Sequence, residues 1–376
     1  MTVPADSPTT PSARLRASTP SALLAVIPHL LGFQPESSLV IIGIEQPGGK
    51  VKITLRYDLP DPADASQAED VGEHAAAVLQ SQRIPAAVAV GYGPDRLVRP
   101  VASAFAEAAL DAGIELRESL RADEGRYWSC TCRDETCCPA EGTPTGTNGH
   151  PLPDTPADSG EPVLTSRAAL AQSLAPLGGL AAESMREAAT RAEQHVTKIV
   201  TKLGGSSRPG AAKRAIAAEG LAAVSEMIAL YRGGGTFSTD YQLAWLTVVL
   251  KDLRVRDDAW SRMDPEHAPA HLRLWTDVVR RAQPGHVAPA ASLLAFTAWQ
   301  SGNGALANVA LDRALADDPG YSMAQLLRQV ITAGAPPSMA RLPMTPEEVA
   351  DSYDRADQEK QGTSASEDRQ PAGVTP

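Results

Sequence analysis

Two hydrophobic patterns divide the chain. In its first part apolar residues come as short unbroken runs or in strict alternation, and beyond about residue 160 they recur at helical spacing. The run Ser-Leu-Val-Ile-Ile-Gly-Ile at 38–44 is apolar almost throughout, which predicts a strand buried on both faces. Pro47-Gly48-Gly49 is a turn. Residues 50–58, Lys-Val-Lys-Ile-Thr-Leu-Arg-Tyr-Asp, alternate polar and apolar, as a half-exposed strand does, so the two segments predict a hairpin. A helix is expected over 63–83. A third buried strand follows at 86–90, then a helix over 95–112 with Asp95 as candidate cap and Gly113 as its stop, then a strand over 114–120. Before the first strand, Thr19 and Pro20 suit the start of a short helix that Pro28 is expected to end or bend. Strands alternating with helices imply an α/β fold, a mixed sheet with flanking helices.

Residues 143–162 are rich in Pro, Gly, Thr and Asp, and after them the strand signal disappears. Helices are expected over 166–174, 180–203, 211–231, 240–253, 270–281, 288–300, 306–316 and 322–331. A short acidic helix is expected over 346–356. The expected organisation is a disordered tail at 1–18, an α/β domain at 19–142, a linker at 143–162, an all-α domain at 163–340 and an acidic, mostly disordered tail at 341–376. The stretch from Trp299 through Gly302, Gly304 and Pro319 to Tyr321 resembles one tetratricopeptide unit, and no second copy precedes it.

Charge and composition narrow the function. A formal net charge of -11 over 376 residues argues against a nucleic-acid partner, because phosphate neutralisation needs a basic face. No apolar run is long enough to span a membrane, and 1–20 lacks the basic-then-apolar pattern of an export signal. Cytoplasmic residence and reduced cysteines are therefore expected.

All four cysteines fall within nine residues, Cys130, Cys132, Cys137 and Cys138, in the stretch Arg-Tyr-Trp-Ser-Cys-Thr-Cys-Arg-Asp-Glu-Thr-Cys-Cys-Pro-Ala-Glu-Gly-Thr-Pro at 126–144. The C-x-C-x4-C-C spacing is not the paired CxxC of a zinc site. Cys132, Cys137 and Cys138 with His150 still offer enough soft ligands for zinc. Arg126 and Arg133 can lower a thiol pKa and create a reactive thiolate. The plainer alternative is a compact loop packed around small sulfurs, with Tyr127 and Trp128 as apolar anchors. Arg56 and Asp58, two apart at a strand end, point to one face and suit an anion grip, though a solvated ion pair explains them as well. Gly91-Tyr92-Gly93 lies between strand and helix, where a phosphate loop would sit. The GxGxxG and GxxxxGK[ST] patterns are absent, so an ordinary turn fits better. Arg254, Arg256, Asp257 and Asp258 are expected to close a helix, where they can meet a ligand or simply complement the helix dipole.

Four blocks in order carry a family resemblance: Leu-Gly-Phe-Gln-Pro-Glu-Ser-Ser-Leu-Val at 31–40, Leu-Arg-Tyr-Asp-Leu-Pro at 55–60, Arg-Tyr-Trp-Ser at 126–129 with Cys-Cys-Pro-Ala-Glu-Gly-Thr-Pro at 137–144, and the block 299–321. Together they resemble the actinobacterial domain of unknown function 4192, over about 18–337. The resemblance implies an intracellular protein and supplies no activity, cofactor or catalytic residue. It directs attention to Gly32, Arg56, Asp58, Tyr127, Trp128, Cys137, Cys138, Glu141 and Gly142. Cys130 stands where such sequences often carry another residue, which sets it apart from any shared metal site.

The leading expectation is a ligand-binding or regulatory protein with its site near the cysteine loop at the domain junction. It would take a small anionic ligand or a peptide through Arg56, Asp58, Tyr92, Tyr127, Trp128 and Glu141. The alternatives are a thiol- or metal-dependent enzyme built on that loop, and a scaffold presenting a helical groove to a protein partner.

Overall fold

The computed structural model describes residues 19–46, 49–61, 64–132, 134, 138–145, 163–203, 209–339 and 344–367. The tail expected at 1–18, most of the linker expected at 143–162 and the last residues of the acidic tail lie outside these. The chain divides into two compact units, Met1–Leu170 and Ala171–Pro376.

The first unit is built on a mixed sheet of six strands among the described residues: β1 (Ser38–Glu45), β2 (Lys50–Asp58), β3 (Ala86–Tyr92), β4 (Glu115–Asp123), β5 (Arg126–Ser129) and β6 (Thr143–Pro144). Their order is β2-β1-β3-β4-β5-β6. All neighbours are antiparallel except β3 and β4, which run parallel. The unbroken apolar runs became the two strands buried on both faces, β1 and β3, and the alternating run became the edge strand β2. Helices α1 (Pro20–Leu31), α2 (Ala65–Ser81) and α3 (Asp95–Asp111) complete the unit. Leu39, Ile41, Ala87 and Ala89 of the sheet form one core with Ala75 and Leu79 of α2 and Val101 and Phe105 of α3.

Three features differ from expectation. Helix α1 runs through Pro28 to Leu31, where Gly32 ends it in the left-handed region. Pro28 lacks an N–H, yet its ring is buried, and packing outweighs the lost hydrogen bond. Strands β5 and β6 were not foreseen, being too short to show a period. The chain beyond 162 returns to the end of α1, where Leu164 N donates to Gly32 O and Gln34 N to Leu164 O.

The second unit is helical: α4 (Arg167–Ser173, whose first four residues belong to the first unit), α5 (Gly179–Lys202), α6 (Pro209–Arg232), α7 (Asp240–Val249), α8 (Leu253–Ser261), α9 (Ala268–Arg281), α10 (Val287–Gln300), α11 (Gly304–Asp317), α12 (Ser322–Thr332) and α13 (Pro346–Glu367). Helix α10 is the axis of this unit. Every residue from Val287 to Trp299 is buried, as expected of a helix that is apolar all round. It packs against α9, α11 and α12. The single helix expected over 240–253 is two, because the Asp252 carboxylate accepts from Arg254 N and starts α8 as a new helix. Helix α13 extends past residue 356 to Glu367, through a segment rich in Glu, Gln and Lys.

Candidate functional site

Strand β1 starts where β2 and β3 finish, because it is antiparallel to both. Ser38 lies opposite Asp58 on one side and Tyr92 on the other, Tyr92 opposite Ala122, and Ala122 opposite Tyr127. Directly paired residues share a face, so Asp58, Ser38, Tyr92 and Tyr127 form a row on one side of the sheet, and Arg56 joins them by the two-residue period. The Arg56 Nε donates to Ser38 Oγ at 2.9 Å and Nη2 to Asp58 Oδ1 at 2.6 Å. Ser38 is fully buried and donates in turn to the Glu36 carbonyl at 2.5 Å. The Arg56 side chain is only 16% exposed while Asp58 is 80% exposed, so the pair on this edge strand sets an inward cation against a solvated anion. The Tyr92 hydroxyl is buried and has no hydrogen-bond partner among the described residues; burial holds its pKa well above the ordinary value.

The opposite face carries the base of the cysteine loop. Arg121 and Trp128 are paired across β4 and β5, and the guanidinium carbon lies 3.5 Å from the indole centroid, a cation–π contact. Arg121 also reaches Asp123 at 3.4 Å and Asp95 at 3.7 Å, and Asp95 holds Arg99 through both oxygens at 2.8 and 2.9 Å. Trp128 Nε1 donates to the Ala140 carbonyl, and Arg126 Nη1 donates to the carbonyls of Glu141 and Gly142. Gly142 sits at φ 80°, and a Cβ there would come within 2.4 Å of the indole. Tyr127 and Trp128 therefore point to opposite faces. The Glu141 side chain is exposed, and the residue contributes its carbonyl to the loop.

Cys130 bonds through its backbone N–H to the Ser119 carbonyl. Desolvation pushes its thiol pKa up, outweighing a hydrogen bond with Ser119 and the positive charges of Arg99 and Arg121. Cys132 N donates to Ser129 Oγ and Cys138 N to the Asp134 carbonyl. Cys137 and His150 lie outside the described residues, so the zinc set is described only at Cys132 and Cys138. Among the described residues the cysteines do not gather in threes with other ligands; Asp264, Glu266 and His267 do. That group already holds a cation, since Arg232 pairs with Asp264.

The turn after β3 is structural. A Cβ at Gly91 would lie 2.1 Å from Val98 Cγ1, so this glycine lets α3 press onto the sheet. The cap of α3 is Pro94, and Asp95 in the first turn spends its carboxylate on Arg99 and Arg121, which places an acidic group where a phosphate would sit. Residues 254–258 start α8 instead of closing a helix, and their charges are paired: Arg254 with Asp354, Arg256 with Asp257, Asp258 with Arg262.

The family described as Domain of unknown function (DUF4192) matches residues 20–338. The chain belongs to that family. No curated protein and no solved structure matches it. The DUF4192 match takes in both units and every described residue of the row and loop above, and it ends before α13. No helix among the described residues is long and apolar enough to cross a membrane.

Within this DUF4192 chain, the strand register sets Arg56, Ser38 and Tyr92 on one face: a half-buried guanidinium, and a phenol whose buried hydroxyl has no hydrogen-bond partner among the described residues. Such a pair can hold an oxyanion, one group by charge and the other by a donated hydrogen bond. Ser38 and Arg121, which sequence reasoning did not single out, are a polar residue opening an apolar run and a charged residue inside a strand, and that mismatch was their only signal.

Proposed function

We propose that this chain is a ligand-binding protein whose α/β unit takes a small anion at the strand ends, between Arg56 and Tyr92. The buried Tyr92 hydroxyl carries the reading. The hydroxyl is buried and has no hydrogen-bond partner among the described residues, and a ligand oxygen that entered beside it by displacing the covering side chains would supply one. Asp58 acts as a placeholder on the Arg56 guanidinium. Its exposed carboxylate can swing to water when a ligand oxyanion replaces it. Ser38 fixes the guanidinium by accepting from Nε, which leaves the outer nitrogens for the ligand. The raised thiol pKa of Cys130 speaks against a thiolate nucleophile at that one cysteine. Cys130 is in no disulfide among the described residues, which fits residence in the reducing cytoplasm.

The test is a thermal-shift screen of the full chain against organic carboxylates and phosphate monoesters, followed by titration of the best binder. Arg56→Gln and Tyr92→Phe are each expected to weaken binding at least about tenfold, since one hydrogen bond to a charged group is worth about 1.5–3 kcal/mol. Binding that survives both substitutions unchanged rejects the site.

A further inference from the structure

The helical unit contains a cleft of about 340 Å³ whose wall is unusually basic for an acidic protein. It lies between α5, the end of α9 with the turn that follows it, and α11. Arg186, Arg280, Arg281 and Arg313 line it, together with the single carboxylate of Asp317. These five charged side chains are not equivalent. Arg281 is engaged with Asp277 at 2.8 Å and lies over the Phe237 ring. Arg186 makes a long, exposed contact with Glu183 at 3.9 Å. Asp317 is occupied by the start of α10: its oxygens accept from the amides of Gly285, Val287 and Ala288 at 2.6, 2.8 and 3.1 Å. Arg280 and Arg313 remain. Their Nε atoms are buried, and neither finds a hydrogen-bond partner among the described residues.

The helix dipole explains why Arg280 and Arg281 stand in the last turn of α9. It does not explain why a guanidinium donor is removed from water with no acceptor, nor why Arg313, from a different helix, converges on the same space. Desolvated donors without acceptors are costly, and buried cations in proteins are ordinarily paired. The rest of the wall is apolar: Leu177, Ala182, Met185 and Val287. The volume stands at the lower end of the range for small-molecule sites.

We propose that this cleft is a second binding site, for a small organic anion whose oxyanion head bridges Arg280 and Arg313 while its apolar body lies on Leu177, Met185 and Val287. The α10 amides take no part, because Asp317 has them. The head group is a carboxylate or a phosphate monoester, both of which match the guanidinium fork.

The experiment titrates the full chain calorimetrically with benzoate, phenyl phosphate and inorganic phosphate. One of the two aromatic anions is expected to bind at least about tenfold more tightly than inorganic phosphate, and the tighter of them identifies the head group. The Arg280→Gln/Arg313→Gln double variant is expected to lose that binding. Absence of binding by both aromatic anions, or equal binding in the double variant, overturns the proposal. Two measurements keep the question open to decision if the double variant does not fold. Arg313→Met is expected to match or exceed the wild-type Tm without ligand, because it removes a buried Nε donor with no partner among the described residues; a clear fall in Tm marks Arg313 as structural and overturns the site. Phenylglyoxal modification of the native chain, mapped by peptide mass, is expected to slow at Arg280 and Arg313 when the bound anion is present. Slowing confined to Arg56 places the anion in the α/β unit and overturns the cleft.

Discussion

His271 shows how one side chain sets a pH response. It is 1% exposed; burial, and after it the charge of Arg232, push its pKa down from 6.5 to about 4. Asp264 acts in the opposite direction, and His267 adds to the depression. The imidazole is therefore neutral in the fold, while in the unfolded chain it takes up a proton as pH falls past 6.5. Its contribution is fully present above pH 6.5 and is lost as pH falls towards and through about 4. The shift corresponds to about 3 kcal/mol, at about 1.4 kcal/mol per pK unit. Thermal unfolding of His271→Phe between pH 7 and 4 should fall less steeply than wild type; parallel curves would mean that His271 does not titrate in this window. Gly142 is the second residue whose identity is dictated locally. Gly142→Ala meets both a left-handed backbone and the Trp128 ring, at a cost of about 2 kcal/mol or more. The measurement is hydrogen exchange at the Tyr127 and Thr143 amides, which should accelerate as β5 and β6 separate. At this scale the sequence was partly legible. Arg56 and Asp58 were readable as neighbours because the two-residue strand period is local. Ser38 was not, because its meeting with Arg56 depends on the pairing of β1 with β2.

Among the elements, legibility followed length and punctuation. β1, β2 and β3 declare themselves through long apolar or alternating runs. β5, four residues long, is held by Arg126 and Trp128, whose side chains reach carbonyls at 140–142, and such pairing leaves no period to read. The division of α7 from α8 rests on one cap, Asp252, in a segment with neither glycine nor proline. A cap of greater consequence is Asp317, which reaches back from the end of α11 to three amides at the start of α10. Asp317→Asn turns one acceptor into a donor facing those amides and should cost about 1–2 kcal/mol. Exchange at the Val287 and Ala288 amides is the direct check; unchanged protection there would show that the cap contributes nothing.

For the whole molecule, the change from strand to helical period foretold an α/β portion followed by a helical one, and the family match spans both. The candidate sites were less legible, because each is assembled from side chains far apart in the chain: Ser38, Arg56 and Tyr92 in one, Arg280 and Arg313 in the other. The cysteine stretch stands out by composition; its described part is anchored around Trp128, and among the described residues the buried side-chain polar atoms without partners lie elsewhere. Asp317 links stability to recognition. Among the described residues it is the only negative side chain in the wall of the arginine cleft, and it is also the clasp of the α10–α11 hairpin. Replacing it by a neutral residue would make the cleft more attractive to anions and the hairpin looser in the same stroke. Selection for tighter binding and selection for a firmer fold therefore pull this one position in opposite directions, so that the resting affinity of the cleft is capped by the need to keep its own wall standing.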